Sequence, residues 1–189
     1  MRDLLALPSK AWRSASEHGC SYRYISFGLV RRGSVRVGEN TSRYPTLTAD
    51  LNALARRRLP TVIPWLTIQV NHCSSGRMVP HCPSGDPPGF PRMVITLGDH
   101  TGGDVWVEDG AILGTHAARG APTSLLCSDG AMRVGTPYSP YPYLAFDACA
   151  FHGDMPWEGE RWAILFYTAG IPHPALTPTL AAHGFRTKT

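Results

Sequence analysis

Short runs of β-branched and aromatic residues, divided by turns rich in Gly and Pro, dominate the chain from residue 62 onward. Such runs, with no helical periodicity between them, are typical of an antiparallel sandwich or barrel. We expect strands in WLTIQVN (65–71), PRMVITLG (91–98), GDVWVED (103–109), TSLLCSDGAMRVG (123–135), YLAFDA (143–148) and ERWAILFYT (160–168), the fourth being the weakest pattern.

The pattern before residue 62 is different. SYRYISFGLV followed by RRGSVRV (21–37) surrounds a glycine-containing turn and predicts a hairpin. TLTADLNALARRRLP (46–60) has an apolar stripe at helical spacing, three arginines near its end and a terminal proline, so it predicts a helix. Thr46 or Thr48 is expected to cap this helix.

The length and composition favour one domain. A chain of 189 residues with 43% apolar content can bury one core, and 19 Gly and 17 Pro favour many turns. We expect an N-terminal flank (1–61, a hairpin and one helix) packed on a β core (62–170), followed by a C-terminal tail (171–189).

The charge and the cysteine content limit which partners and which cellular compartment are expected. The net charge of +4 comes almost wholly from arginine, which permits a nucleic acid or another anion as partner but also fits a general surface bias. No apolar run approaches the about 18 residues of a membrane helix, and the apolar start Leu4–Leu7 is too short for a signal peptide. The five cysteines are irregularly spaced, so no disulfide framework is expected. A soluble intracellular protein, cytoplasmic or nuclear, is the resulting expectation, with the oligomeric state open.

One candidate site lies in HGDMPWEGERW (152–162), where Arg161 opens an apolar strand nine residues after His152. A buried arginine is costly unless an anion meets it. A small dicarboxylate would suit the guanidinium through a two-pronged contact. Pairing with Glu158 or Glu160 at a strand edge is the alternative.

A second candidate site lies upstream. A strand ending in Asn71 leads to His81 in MVPHCPSGD, and LGDHTGGDVWVED (97–109) then places a tight glycine turn between two strands. The two glycines allow positive φ and close approach of backbone.

Taken in this order, the segments resemble the 2-oxoglutarate- and Fe(II)-dependent dioxygenases over residues 62–168. Within that superfamily they are most similar to the nucleic-acid-modifying TET/JBP and AlkB-like groups. The resemblance implies an all-β double-stranded β-helix (a jelly-roll, cupin-like barrel) with a small α flank. It also implies iron held by two histidines and one carboxylate, with 2-oxoglutarate as cosubstrate. By position, His81 and His152 would be metal ligands, Arg161 would bind the far carboxylate of 2-oxoglutarate, and Asn71 would assist at its other end.

The sequence departs from that family at Pro83, which stands where the family has its metal-binding aspartate. Three explanations stay open. Asp86 swings in as the third ligand from a loop shaped by prolines. Alternatively, two histidines hold the metal with water or chloride in the vacant place. In the third, the barrel has lost tight metal binding and is a degenerate copy.

The sequence offers two other metal arrangements. His152 and Asp154 form an H-x-D of their own, with His173 or His183 as the partner, but too little chain separates them for the intervening barrel strands. His72–Cys73 and His81–Cys82 suggest a zinc-stabilised module, although adjacent residues on a strand point to opposite faces. His100 and His116 are expected to be solvated, and Trp106, Trp157 and Trp162 to pack in the barrel wall.

The function that follows is an Fe(II)/2-oxoglutarate oxygenase that hydroxylates or oxidatively demethylates an unidentified substrate, with nucleic acid as one candidate. A non-catalytic binding barrel and a zinc-stabilised module are the alternatives.

Overall fold

The computed structural model describes residues 2–17, 20–83 and 86–187. Its helices are α1 (Arg2–Leu5), α2 (Glu39–Arg43), α3 (Pro45–Arg58) and α4 (Thr177–Ala182), with short 3-10 turns at Ser9–Ala11 and Pro174–Leu176. Its strands are β1 (Arg13–Glu17), β2 (Cys20–Arg32), β3 (Ser34–Val37), β4 (Thr67–Gly76), β5 (Pro91–Leu97), β6 (His100–Gly102), β7 (Val105–Glu108), β8 (Thr123–Leu126), β9 (Met132–Tyr138), β10 (Leu144–Asp147), β11 (His152–Asp154) and β12 (Trp157–Tyr167).

Two antiparallel sheets form the barrel. The main sheet has the order β1-β2-β4-β12-β5-β10, with β3 paired to β2 and β6 to β12. The second sheet has the order β11-β7-β9-β8. Between β6 and β12 the chain passes repeatedly from one sheet to the other, so β10, β11 and β12 follow each other in sequence but alternate between the sheets. This is the expected double-stranded β-helix, and the jelly-roll prediction is confirmed.

The main sheet has an apolar outer face and a mixed inner face because side chains alternate along each strand. On β12, Trp162, Ile164 and Phe166 join the large outer core together with residues of the helices. Ala163 instead joins a smaller inner core with Val94, Val105, Val107, Leu144 and Phe146. The inner face therefore leaves space for a cavity.

The helical flank differs from expectation in one detail. The predicted helix is present as α3, but the predicted cap is wrong, because Pro45 is its first residue and no side chain caps it. Proline already has the φ of a helix and lacks an N–H, so a helix beginning with proline needs one partner fewer. Thr48 is buried inside the helix, and its hydroxyl donates to the carbonyl of Tyr44 at 2.9 Å.

The terminal segments are joined to the main sheet. The predicted hairpin is confirmed as β2–β3, and β2 also pairs with β4, so it extends the main sheet. The segment after residue 170 contains α4, and its Leu180 and Phe185 are buried in the outer core. No helix in the described part of the chain is long and apolar enough to cross a membrane.

Aromatic and histidine side chains outside the site follow two patterns. The three tryptophans expected in the wall are buried, which confirms a packing role: Trp106 is 0%, Trp157 4% and Trp162 0% exposed. His100 and His116 are half-buried rather than fully solvated. The ring of His116 packs edge-on against Tyr143 at 5.2 Å between centroids, which explains its partial burial.

Candidate functional site

His81 and His152 lie side by side inside the barrel. The segment that contains His81 runs antiparallel to β11, and the two histidines exchange backbone hydrogen bonds of 2.9 and 3.0 Å. Their ring centroids are 4.9 Å apart, and the ring of Phe146 lies 4.7 Å from that of His152. His152 is buried and His81 half-buried. Residues that are 71 positions apart in sequence therefore form one imidazole pair, as the resemblance implies.

Both imidazoles have the same local contact. Nδ1 of His81 lies 3.2 Å from the carbonyl oxygen of Val79, and Nδ1 of His152 lies 3.0 Å from that of Ala150. A carbonyl oxygen only accepts, so these contacts assign the proton of each neutral ring to Nδ1. Nε2 is then the nitrogen with the lone pair. This is the tautomer in which a histidine binds a metal through Nε2 while a backbone carbonyl orients the ring.

No third metal ligand joins this pair among residues 2–17, 20–83 and 86–187, where no group of three or more His, Cys, Asp or Glu side chains is placed to hold a metal. Pro83 lines the cavity and offers no donor atom. Asp86 accepts from Nη2 of Arg92 at 2.5 Å, and Asp154 is held by Arg161. In the present arrangement each nearby carboxylate is therefore paired with an arginine. Asp86 as the third metal ligand stays a prediction.

Arg161 lies beside a second, much smaller space, called the closed end below, and its partner Asp154 lines both this space and the main cavity. Its Nη1 and Nη2 donate to the two carboxylate oxygens of Asp154 at 3.0 and 2.9 Å, and Nη2 also donates to the carbonyl of Gly103 at 3.3 Å. The guanidinium lies 4.8 Å from the ring centre of Trp157. The space beside it is only about 20 Å³.

The glycine turn makes room for this arginine. Gly102 and Gly103 have φ of 72° and 80°, which confirms the predicted positive φ. A Cβ on Gly103 would lie 2.9 Å from Nε of Arg161, so the guanidinium packs directly on the turn. The close backbone approach expected from the motif is therefore an approach to Arg161.

The pairing of Arg161 with Glu158 or Glu160, which the sequence left open as the alternative, is wrong. Its partner is the carboxylate of Asp154, two residues beyond His152, instead of Glu158 or Glu160. Binding of a cosubstrate carboxylate by Arg161 stays a prediction. Such binding requires displacement of Asp154 from a two-pronged ion pair.

The main cavity has a volume of about 800 Å³ and is lined by both histidines; the part beside Arg92 and Asp86 is called the open end below. Asn71 lines it, but its side-chain oxygen accepts from Nε2 of Gln69 at 2.8 Å. The hydroxyl of Tyr167 donates to Oε1 of Gln69 at 3.1 Å. Burial raises the pKa of Tyr167 to about 12, so this phenol stays protonated at neutral pH. These residues give the cavity a polar, uncharged floor.

Arg92, which the sequence interpretation did not single out, also lines this cavity. It is 7% exposed, it bonds Asp86, and its guanidinium lies 4.5 Å from the ring centre of Tyr167. Its Nε has no hydrogen-bond partner among the described residues. The signal was present in PRMVITLG, because Arg92 opens an apolar strand as Arg161 does. The cost of an arginine entering a buried strand applies to both.

The residues considered for zinc do not come together. The imidazole of His72 lies between Arg23 and Glu160, at 2.9 and 3.1 Å, and stacks on Trp162. The Sγ of Cys73 points to the opposite face and lies 3.8 Å from that of Cys20. The expectation that adjacent residues of a strand face opposite ways is confirmed.

No protein-family model matches this chain, and no curated protein matches it. Among solved structures, an oxidoreductase of the 2OG-Fe(II) oxygenase family from Burkholderia pseudomallei is similar to it, with 14% sequence identity and a TM-score of 0.49. The similarity covers 86% of this chain and 73% of that chain. The site assignments rest on the geometry of the barrel.

Proposed function

We propose that this chain is a metal-binding barrel of the Fe(II)/2-oxoglutarate oxygenase type, in which His81 and His152 supply both protein ligands. The observation that supports this proposal is the imidazole pair: two rings 4.9 Å apart in the cavity, each oriented by a backbone carbonyl at Nδ1. Two imidazoles fill two of the three positions of the facial triad. The third position then falls to water, chloride or another small ligand, because Pro83 has no donor.

Fe(II) with 2-oxoglutarate and oxygen, when bound, supplies the oxidising power to hydroxylate or demethylate a C–H substrate. The chain's own residues orient the two imidazole rings and exclude water from the site. The carbonyls of Val79 and Ala150 fix the direction of the two rings. Phe146 covers one side of His152, and Val94 and Val105 line the adjacent wall. Such apolar walls keep water from a bound metal and strengthen the electrostatic interactions inside the site.

Metal titration tests this proposal directly. Anaerobic titration with Fe(II), or with Co(II) as an optical substitute, is expected to show one site that is lost in both His81→Ala and His152→Ala. Pro83→Asp is expected to raise the affinity by about tenfold or more, because it adds an anionic oxygen ligand. A folded wild-type protein that binds no metal, together with no gain in Pro83→Asp, would contradict the proposal.

The same titration addresses Asp86. If Asp86 completes the triad, Asp86→Ala weakens metal binding as strongly as loss of a histidine. If water or chloride fills the position, Asp86→Ala leaves the metal affinity unchanged.

A non-catalytic binding barrel is the second candidate, and the two Arg–Asp pairs favour it because they occupy both nearby carboxylates. The two functions differ in turnover. An oxygenase forms succinate from 2-oxoglutarate in air with Fe(II) present, and His152→Ala abolishes this. A binding barrel takes up ligand without forming succinate.

A nucleic-acid substrate is a further part of the proposal, supported by the cavity mouth. Three exposed arginines, Arg13, Arg31 and Arg36, line it together with Tyr22 and Tyr24, whose ring centroids are 6.0 Å apart. Arginines bind phosphates and tyrosines stack on bases. Titration of a fluorescent single-stranded oligonucleotide is expected to show weaker binding and a smaller salt dependence in Arg31→Ala. Arg57→Ala, an exposed arginine of α3 outside the cavity, serves as the matched control.

A further inference from the structure

Arg92 is a buried cation with unfilled hydrogen-bonding capacity. It is 7% exposed, it lines the main cavity, and its Nε has no partner among the described residues. A buried guanidinium is stabilised when each donor meets an acceptor, and a carboxylate can satisfy two donors at once. The present contact with Asp86 involves one oxygen and Nη2.

Asp86 shows which chemical group this position accepts. Its side chain is 7% exposed in the ion pair with Arg92, and it accepts from Nη2 alone. A free carboxylate that reaches both Nη2 and the unpartnered Nε makes two contacts where Asp86 makes one, so it can take the place of Asp86.

The position beside Arg92 that the Asp86 carboxylate occupies, called the carboxylate seat below, lies near the histidine pair. Arg92 and Phe146 are partners in the β5–β10 ladder, and both line the cavity. The ring of Phe146 in turn lies 4.7 Å from that of His152. A ligand anchored at Arg92 therefore extends from the seat into the cavity beside the imidazoles, over the amides of Gln69 and Asn71.

Arg161 offers no equivalent seat. Its Nε also has no hydrogen-bond partner among the described residues, but both terminal nitrogens are bonded to Asp154 and Gly103 packs on the Nε side. The space that Arg161 itself lines is about 20 Å³. That volume holds about one water molecule and is too small for a dicarboxylate.

We infer that Arg92, not Arg161, anchors the carboxylate of a small organic-acid ligand in the main cavity, and that Asp86 is a built-in competitor which the ligand displaces. The ligand class is a 2-oxo acid or dicarboxylate. The inference rests on the proposed function only in the choice of 2-oxoglutarate as the probe, because the seat contains no metal ligand in the present arrangement.

Calorimetric titration with 2-oxoglutarate, in buffer freed of metal on a chelating resin, tests the seat alone. Soluble chelators are avoided because they carry carboxylates. Asp86→Asn is expected to bind about tenfold tighter than wild type, since a neutral amide competes less well than a carboxylate for a charged donor. Misfolding would lower the affinity for 2-oxoglutarate, so it cannot account for an increase.

Two matched double variants locate the anchor. Asp86→Asn with Arg92→Gln removes both charges at the open end and is expected to abolish binding while the circular dichroism spectrum stays native. Asp154→Asn with Arg161→Gln removes the same charges at the closed end and is expected to leave the affinity unchanged. Dimethyl 2-oxoglutarate, which has no carboxylate, is expected not to bind.

The inference is overturned if Asp86→Asn binds no tighter than wild type, if no form of the protein binds the probe, or if the folded Asp154→Asn/Arg161→Gln variant loses binding. Its failure is distinct from that of the proposed function. Loss of metal binding in His81→Ala is measured without the probe, and probe binding is measured without metal.

Discussion

The barrel contains two Arg–Asp pairs with buried arginines, one at the open end of the main cavity and one beside the small space of the closed end. Arg161 and Asp154 form a two-pronged pair that is closed off by Gly103 and Trp157. Arg92 and Asp86 share a single contact beside a cavity of about 800 Å³. The two arginines are almost equally buried, at 3% and 7% exposure.

The comparison shows that burial of a charged pair does not by itself define its role. A two-pronged pair with a glycine turn packed against its arginine stabilises one arrangement of the strands. A pair with a single contact, whose arginine itself lines a large cavity, can exchange a partner. We therefore assign a structural role to Arg161 in the present state and a ligand-binding role to Arg92, and each role has a different experimental consequence.

The largest effect is expected from breaking the closed pair. Arg161→Gln leaves the part-buried carboxylate of Asp154 without its partner, so the free energy of unfolding should fall by about 3 kcal/mol. Urea denaturation followed by circular dichroism measures it. Asp154→Asn/Arg161→Gln is the control and should recover most of the loss, because no charge is left uncompensated.

Arg92→Gln provides the comparison at the open end. The loss there should be smaller, because the raised pKa lets Asp86 take up a proton more easily and because the cavity admits water. Equal losses at the two ends would contradict the distinction between the pairs.

The next effect concerns the glycine turn that packs on Arg161. Gly103 and Gly110 have nearly the same φ, 80° and 83°, but a Cβ on Gly110 would meet nothing within 4 Å. Gly110→Ala should therefore cost only backbone strain, about 1 kcal/mol, whereas Gly103→Ala should cost about 2–3 kcal/mol because it also displaces Arg161. The difference between their urea midpoints measures the contact. Equal costs would show that Arg161 moves aside freely.

The sequence predicts the barrel well but does not predict which arginine faces the cavity. Short apolar runs bounded by Gly and Pro identify strands locally, and the family resemblance implies the pairing of His81 with His152. Arg92 and Arg161 both open apolar strands, so local pattern cannot separate them. Their partners depend on cross-strand register, and β12 has a register shift between Glu158 and Arg161 that no alternation rule reveals.

Strand β11 and the partner of Asp86 could not be predicted either, because neither segment has a periodic sequence pattern. β11 is only three residues long, His152–Asp154, too short for a periodic pattern, although it carries a histidine of the site. Asp86 stands between Pro83 and Pro87 in the sequence, where no periodic pattern predicts its partner. The resemblance therefore predicted the two histidines, whereas the partners of the carboxylates depend on tertiary packing.

Thiol reactivity gives a smaller test of the two ends. Cys20 lies at the closed end beside Arg161 and is 4% exposed, and burial raises its pKa to about 12. Cys82 and Cys149 lie near the open end and are exposed. At pH 9 about one thousandth of Cys20 is thiolate, so iodoacetamide should modify the two exposed thiols first. Peptide mass spectrometry after brief labelling identifies the sites, and early modification of Cys20 would show that the closed end opens.

The smallest expected effect is the pH dependence of Asp86. Burial raises the pKa of this carboxyl above its ordinary value of 3.8, and Arg92 offsets the increase only in part. The folded protein then binds a proton here more readily than the unfolded chain. The associated stability is fully present below the ordinary pKa and is lost as the pH rises through the folded value. Asp86→Asn cannot titrate, so its free energy of unfolding should rise relative to wild type between pH 4 and pH 7 in urea denaturation. If wild type instead became the more stable of the two as the pH rose from 4 to 7, Arg92 would fully stabilise the Asp86 carboxylate. The Arg92–Asp86 pair would then resemble the Arg161–Asp154 pair.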